Sequence, residues 1–449
     1  MSGPEINTAP VVVLGGGIAG LTATRELLRN GIDAVLYEAG PKVGGMADSH
    51  FDTDGFTFDT GAHFITNRLA TATGVNELCR TIEHYGETVW VRGQSYDYPS
   101  GLLTVPRYVL SALAARAKRS AGPAESAAEQ FRRDYGTALA DGIALPLVEA
   151  WSGVPASELS PAVADKIPSG IAQTVGLTVA ARLTHRAVAI GYGREAPLSA
   201  NVWHVYPEHG ISTVCESLAA EVADSIRLNS PVERITVSGD RAVGVRVAGQ
   251  QVPAAAVVST APINVLPRLV EGTDALEPFR AFRYRPMVFV NLRLRGRHLI
   301  PDTMTWTPEA EFPFFRLTET PQSMPWLAPE GKTLITADIG AELGDEWWEM
   351  DDGELGERCT DALVDIVPTA RRDSLGSRVV RQPLAYPVFH RAYEQDRRRL
   401  TVGTGVDRLE SIGRNGEFAH ILMEDVYWRT VRRTRRLVAD LKAAIALAA

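Results

Sequence analysis

The residues whose spacing suggests chemistry come early in the chain. "VVVLGGGIAGL" carries G-x-G-x-x-G as Gly15, Gly17 and Gly20, after a β-branched run and at the start of a helical pattern. Gly15 permits a tight turn, Gly17 lets the backbone approach a pyrophosphate, and Gly20 lets helix and strand pack closely. The N–H groups of the first helical turn, at Ile18 and Ala19, then aim at an anion. Glu38 stands 18 residues beyond Gly20, at the end of a second strand pattern, "IDAVLYEAG". A carboxylate there accepts hydrogen bonds from ribose hydroxyls and repels a 2′-phosphate. The motif in this setting predicts a dinucleotide site that disfavours NADP and leaves NAD and FAD open; the alternative is a glycine-rich turn without a ligand.

The following stretches, "EAGPKVGGMADS" and "GFTFDTGAHFI", resemble the flavin amine-oxidase superfamily, which includes protoporphyrinogen oxidase, carotenoid desaturases and UDP-galactopyranose mutase. The resemblance implies FAD. Glu38, Ala39, Lys42, Gly44 and Gly45 match the family's second glycine motif, while Met46 stands where arginine or asparagine is common. Gly61, Ala62 and His63 match the segment that lies near the isoalloxazine ring, and His63 is the candidate acid or base, with a structural histidine as its alternative. "YPEHGISTVCESLAAEV" and Val232 resemble the return to the cofactor domain, with the Val232 backbone near the adenine. "SIGRNGEFAHILMEDVYW" resembles the closing motif: Gly413 and Arg414 approach the cofactor, and the helix near Asp425 and Val426 presents N–H groups to it.

Three segments are similar to the mutase in particular. "PLVEAWSGVPASELSPAVADKIPSG" places Trp151 and Lys166, and "FFRLTETP" with "LAYPVFHRAYE" places Arg316 and Tyr386, at positions that face the mutase's substrate and its diphosphate. The plain readings are a packing anchor for Trp151, a pair with Glu311 or Glu319 for Arg316, and a strand position for Tyr386, which precedes a proline. His204, Glu208 and His209 lack the spacing of a metal site, so no metal is expected.

These residues need elements to hold them. "APVVVLGG", "GIAGLTATRELLRNG" and "IDAVLYEAG" read as a βαβ unit. The chain is long enough for two domains, and the expected fold is α/β. A discontinuous Rossmann-like FAD-binding domain takes residues 1–90, 205–265 and 385–449. A mixed sheet-plus-helical-insertion substrate domain takes 91–204, largely helical, and 266–384.

The net charge of −8, from 54 acidic and 46 basic side chains, argues against nucleic acid as a partner and points to a small molecule. Three distant cysteines, Cys79, Cys215 and Cys359, form neither a disulfide framework nor a metal motif, which suits a cytoplasmic location. The basic C-terminal stretch "WRTVRRTRRLVADLKAAIALAA" reads as the solvated face of a docked helix, so membrane association is not expected; a homodimer remains open. The expected activity is an FAD-dependent oxidoreductase that removes a hydride from a C–N, C–O or C–C unit of a small, anionic or nucleotide-linked metabolite. The alternatives are a mutase-like isomerase of a nucleotide sugar working through reduced flavin, and a non-catalytic flavin-binding partner subunit.

Overall fold

The computed structural model describes residues 9–118, 122–166, 177, 181, 183–191 and 193–448. The strand Val11–Leu14 is apolar throughout and buried along its length, as a strand covered on both faces must be. It pairs in parallel with Ala34–Tyr37 and with Ala256–Ser259, and Ile226–Arg227 and Leu409–Ser411 complete the sheet. Segments from three distant parts of the chain thus build one Rossmann-like sheet, as expected of a discontinuous cofactor domain. Beside it lies the antiparallel meander Val232–Ser238, Arg241–Val247 and Gln250–Pro253, with Val270–Glu271 on its edge.

Helix α1, Ile18–Arg29, covers the parallel sheet. Its fully buried Arg25 reaches Glu221 at 3.1 Å and the hydroxyl of Tyr427. Tyr427 belongs to the C-terminal helix Met423–Ala448, which packs along α1. The basic run of that terminal helix is charge-paired: Arg429 with Glu417, Arg432 with Glu195, Arg433 with Glu410 and Arg435 with Glu26. It is the docked, solvated helix that the sequence suggested. No described helix is long and apolar enough to cross a membrane.

The second domain rests on a seven-stranded sheet, in the order Ser374–Val388, Arg283–Arg295, Lys332–Gly340, Arg316–Thr318, Met304–Trp306, Glu87–Val91 and Gln94–Asp97. Side chains alternate along Arg283–Arg295 with the period of two that a strand imposes. Val288, Val290, Leu292 and Leu294 share a cluster with Leu355, Cys359 and Leu363 of the helix Asp352–Leu363. Met287 and Phe289 share another with Tyr108, Ile143 and Leu147 of the helical insertion. That insertion contains α2, Pro106–Ala117, α3, Ala127–Tyr135, and α4, Leu145–Ser152. Burying each large aliphatic side chain contributes about 1.5–3 kcal/mol, so this strand is the keel of the domain. Two expected domain boundaries, at 90/91 and 384/385, fall inside strands of this sheet, because pairing carries Glu87–Val91 and Ser374–Val388 across them.

Candidate functional site

The first glycine turn is built by contacts that leave no room for side chains. Gly15 has φ +97°, and a Cβ there would lie 2.2 Å from Thr260 Oγ1; one on Gly20 would lie 1.9 Å from the Gly15 carbonyl oxygen. Gly17 caps α1 without any side-chain hydrogen bond, and the first turn contains no acidic residue. The N–H groups beginning at Ile18 and Ala19 are therefore available to an anion. Opposite, the Gly44 N–H donates to the Gly16 carbonyl at 3.0 Å, and a Cβ on Gly45, at φ +58°, would come within 3.3 Å of Gly17 Cα. The two glycine motifs form facing sides of one narrow cradle.

Glu38 anchors this cradle. Its carboxylate accepts from the N–H groups of Gly16 at 2.5 Å and Gly40 at 2.7 Å, and its unused lone pairs suit ribose hydroxyls. The Ser230 N–H donates to the Glu38 carbonyl and that of Asn229 to Gly40, which brings the half-buried Val232 to the same edge, against the apolar cluster that Val35 and Tyr37 also border. Ala39 and Lys42 are exposed, and Lys42 pairs with Asp48 at 2.8 Å. From the far end of the chain Gly413 closes on α1, where a Cβ would sit 2.8 Å from Ala19 Cβ. Met46 joins the same place: the Asn415 side-chain N–H contacts its sulfur at 3.7 Å. An uncapped helix end, a glycine-lined gap and a carboxylate at its rim fit the pyrophosphate and ribose of a flavin dinucleotide.

Gly61, Ala62 and His63 follow a strand whose Asp59 is fully engaged, accepting from Ser49 at 2.7 Å and Tyr206 at 2.5 Å. Burial and the Asp59 charge push the Tyr206 phenol far up, so it stays a donor. His63 Nδ1 stands 3.6 Å from Asp59 Oδ2, beyond hydrogen-bond range. That nitrogen is buried and has no hydrogen-bond partner among the described residues. At the start of the C-terminal helix the Val426 N–H is spent on Leu422, which leaves the first-turn N–H groups of Met423, Glu424 and Asp425 for a ligand. The Asp425 carboxylate accepts from the Glu195 N–H at 2.8 Å.

Three of the expected substrate residues, Trp151, Arg316 and Tyr386, converge from three elements. Trp151, near the end of α4, has its ring 6.4 Å from Trp306, 6.5 Å from Phe315 and 6.5 Å from His420. Tyr386, on the strand Ser374–Val388, meets His420 edge-on at 4.8 Å and lies under Arg414, whose guanidinium is 5.3 Å from its ring. Arg316 lies 5.6 Å from the Trp306 ring and is paired to the fully buried Asp338. The plain alternative for Arg316 was a surface pair with Glu311 or Glu319. Instead Glu319 is buried, accepting from Leu299, Ile300, Gln322 and Thr333, and strand register sets Arg316 opposite Asp338. Lys166 ends the short helix Pro161–Lys166, and its side chain lies outside what the structure describes.

Charge in this aromatic nest is unbalanced. Burial works against the Arg316 charge, but Asp338 outweighs it and holds the guanidinium firmly protonated. Arg414 donates to the carbonyls of Ile421 at 2.7 Å and Ala385 at 3.3 Å. Burial lowers its pKa, and repulsion from Arg316 adds to that, yet an arginine remains charged near neutral pH. Among the described residues, Asp338 is paired with Arg316, whereas the hydrogen-bond partners of Arg414 are backbone carbonyls. The sequence reading gave no role to Trp306, Phe315, His420 or Asp338; a pattern of separate strands meeting through register carried no local signal for them. Phe315 also lines a separate cavity of about 350 Å³, with Pro146, Glu149, Arg285, Phe312 and Gly340.

A sequence model of the family described as flavin containing amine oxidoreductase matches residues 18–409 of this chain. Among curated proteins, the 4,4'-diaponeurosporene oxygenase of Staphylococcus aureus is 36% identical over 59 residues, which is 13% of this chain and 12% of that protein's length. Two solved structures share the fold across nearly their whole length. Reduced UDP-galactopyranose mutase is 18% identical, with 96% of each chain covered and a TM-score of 0.77. Cyclohexylamine oxidase from Brevibacterium oxydans IH-35A is 16% identical, with 97% of this chain and 99% of that one covered and a TM-score of 0.70.

Proposed function

Because this chain belongs to the flavin containing amine oxidoreductase family, we propose that it is an FAD-dependent oxidoreductase that removes a hydride from a C–N, C–O or C–C unit of a small anionic metabolite. FAD would be held by the turn Gly15–Gly20, Glu38, Gly44, Gly45, the segment Gly61–His63, Val232 and Gly413, while the Arg414 guanidinium, lying over the Tyr386 ring, turns to the substrate nest. Bound in the cradle, FAD supplies the hydride acceptor. The protein's own part is to bind and orient. Trp151, Trp306, Phe315, Tyr386 and His420 offer aromatic walls, and Arg316 and Arg414 offer charge. The observation that carries the anionic substrate is that Arg414, among the described residues, is held by backbone carbonyls and not by a carboxylate: a substrate anion would supply the missing counter-charge. A cytoplasmic location goes with this reading, supported by three cysteines that are all free thiols.

The test is anaerobic mixing of the purified yellow protein with metabolite pools. The expected result is bleaching by an anionic amine, alcohol or related compound, with Arg414→Met raising the half-saturating concentration at least about tenfold, as loss of a charged contact does. If no pool bleaches the flavin, the reading fails. A second reading, isomerisation of a nucleotide sugar, is favoured by one observation: Trp151, Arg316 and Tyr386, placed by their likeness to the mutase, meet at one site. Turnover that requires dithionite and leaves substrate mass unchanged would choose it.

A further inference from the structure

Helix α2 shows apolar side chains to water as well as to the interior. Tyr108 is buried among Val89, Ile143 and Phe289. Leu103, in the turn before the helix, and Leu110 and Leu113 upon it are 60%, 66% and 55% exposed. With the exposed Arg107, Ala114 and Ala117 they recur every three or four residues and so lie along one stripe. A globular protein ordinarily turns such a stripe inward, and an outward one marks an interaction surface.

Charge indicates the partner. From Tyr98 to Lys118 the sequence has three basic residues, Arg107, Arg116 and Lys118, and no acidic one, within a chain of net charge −8. All three are exposed. Carboxylates on the adjoining α3 and the turn after it are engaged elsewhere: Glu129 with Arg133, Asp141 with Arg132, and Asp134 with Gln130. A second copy of this chain fits poorly, because a two-fold contact sets the same basic residues against one another. Anionic headgroups complement this one-signed charge, with Arg107 beside the Tyr108 ring and Arg116 and Lys118 at the end of the helix, while the leucines enter the acyl boundary.

We propose that α2 docks this protein reversibly on an anionic lipid surface. The helix differs from the C-terminal basic run, whose arginines are occupied by glutamates. Its inner side shares an apolar cluster with Trp151 and Tyr386, so the docking face is the outer side of the wall behind the candidate substrate site. One helix of this size and three charges give weak, salt-sensitive attachment rather than permanent insertion.

The test is co-sedimentation of the full-length, flavin-loaded protein with phosphatidylcholine vesicles, with and without phosphatidylglycerol. We expect sedimentation only with phosphatidylglycerol, declining with added salt. Leu110→Asp with Leu113→Asp abolishes it, and Arg116→Gln with Lys118→Gln weakens it about twenty-five-fold, from roughly a fivefold effect per basic residue. Unchanged flavin absorbance and melting temperature show that these surface variants are folded. Absence of sedimentation with phosphatidylglycerol overturns the proposal, as does sedimentation that the leucine variant retains. So does a leucine variant that turns a dimer into a monomer in light scattering while the parent ignores vesicles, which assigns the stripe to self-association.

Discussion

A methyl group at residue 20 has nowhere to go, since it would lie 1.9 Å from the Gly15 carbonyl oxygen. Gly20→Ala is therefore expected to push α1 away from the strand and open the cradle. Flavin absorbance should separate from the protein on gel filtration, whereas Gly142→Ala, with nothing within 4 Å of its new Cβ, should keep it. This constraint was legible in the sequence because turn, strand and helix are contiguous and their chemistry is local. Arg316 shows the opposite case. Its partner Asp338 lies 22 residues away on a neighbouring strand, while glutamates closer in sequence point elsewhere, and only pairing register selects between them.

At the level of elements, the strand His204–Pro207 ties Ile65–Thr66 and Cys79–Thr81 into one small sheet. His204 is buried against Phe64 and Tyr85, and burial pushes its imidazole down to about 4. The unfolded chain binds that proton near pH 6.5 and the folded chain does not. Stability is therefore full above about pH 6.5 and declines as pH falls towards 4, by about 3 kcal/mol in all. Urea melts should show this slope, and His204→Gln should flatten it; an equal slope in the variant would refute the assignment. The sequence raised His204 only as a weak metal candidate, because its burial depends on strands that meet through long-range pairing.

Taken whole, the residues proposed to hold FAD come from three distant stretches: Gly15–His63, the segment around Val232, and the turn at Gly413. A ligand that bridges them stabilises the entire fold by mass action. Stripping FAD should lower the melting temperature, and adding it back at a hundredfold excess over Kd should restore about 2.7 kcal/mol. A melting curve indifferent to FAD would count against the cradle.

The sequence by itself determined the βαβ entry, the two glycine motifs and the acidic residue that ends the second strand, because these rest on neighbouring residues and short periodicities, whereas strand pairing moved two of the expected domain boundaries. Tertiary structure alone decided that Trp306, Phe315 and His420 surround Trp151 and Tyr386, that Arg316 is neutralised while Arg414 is not, and that the leucines of α2 face water. Those outcomes depend on strand register and helix docking between segments far apart in the chain, and such contacts leave no mark on local composition.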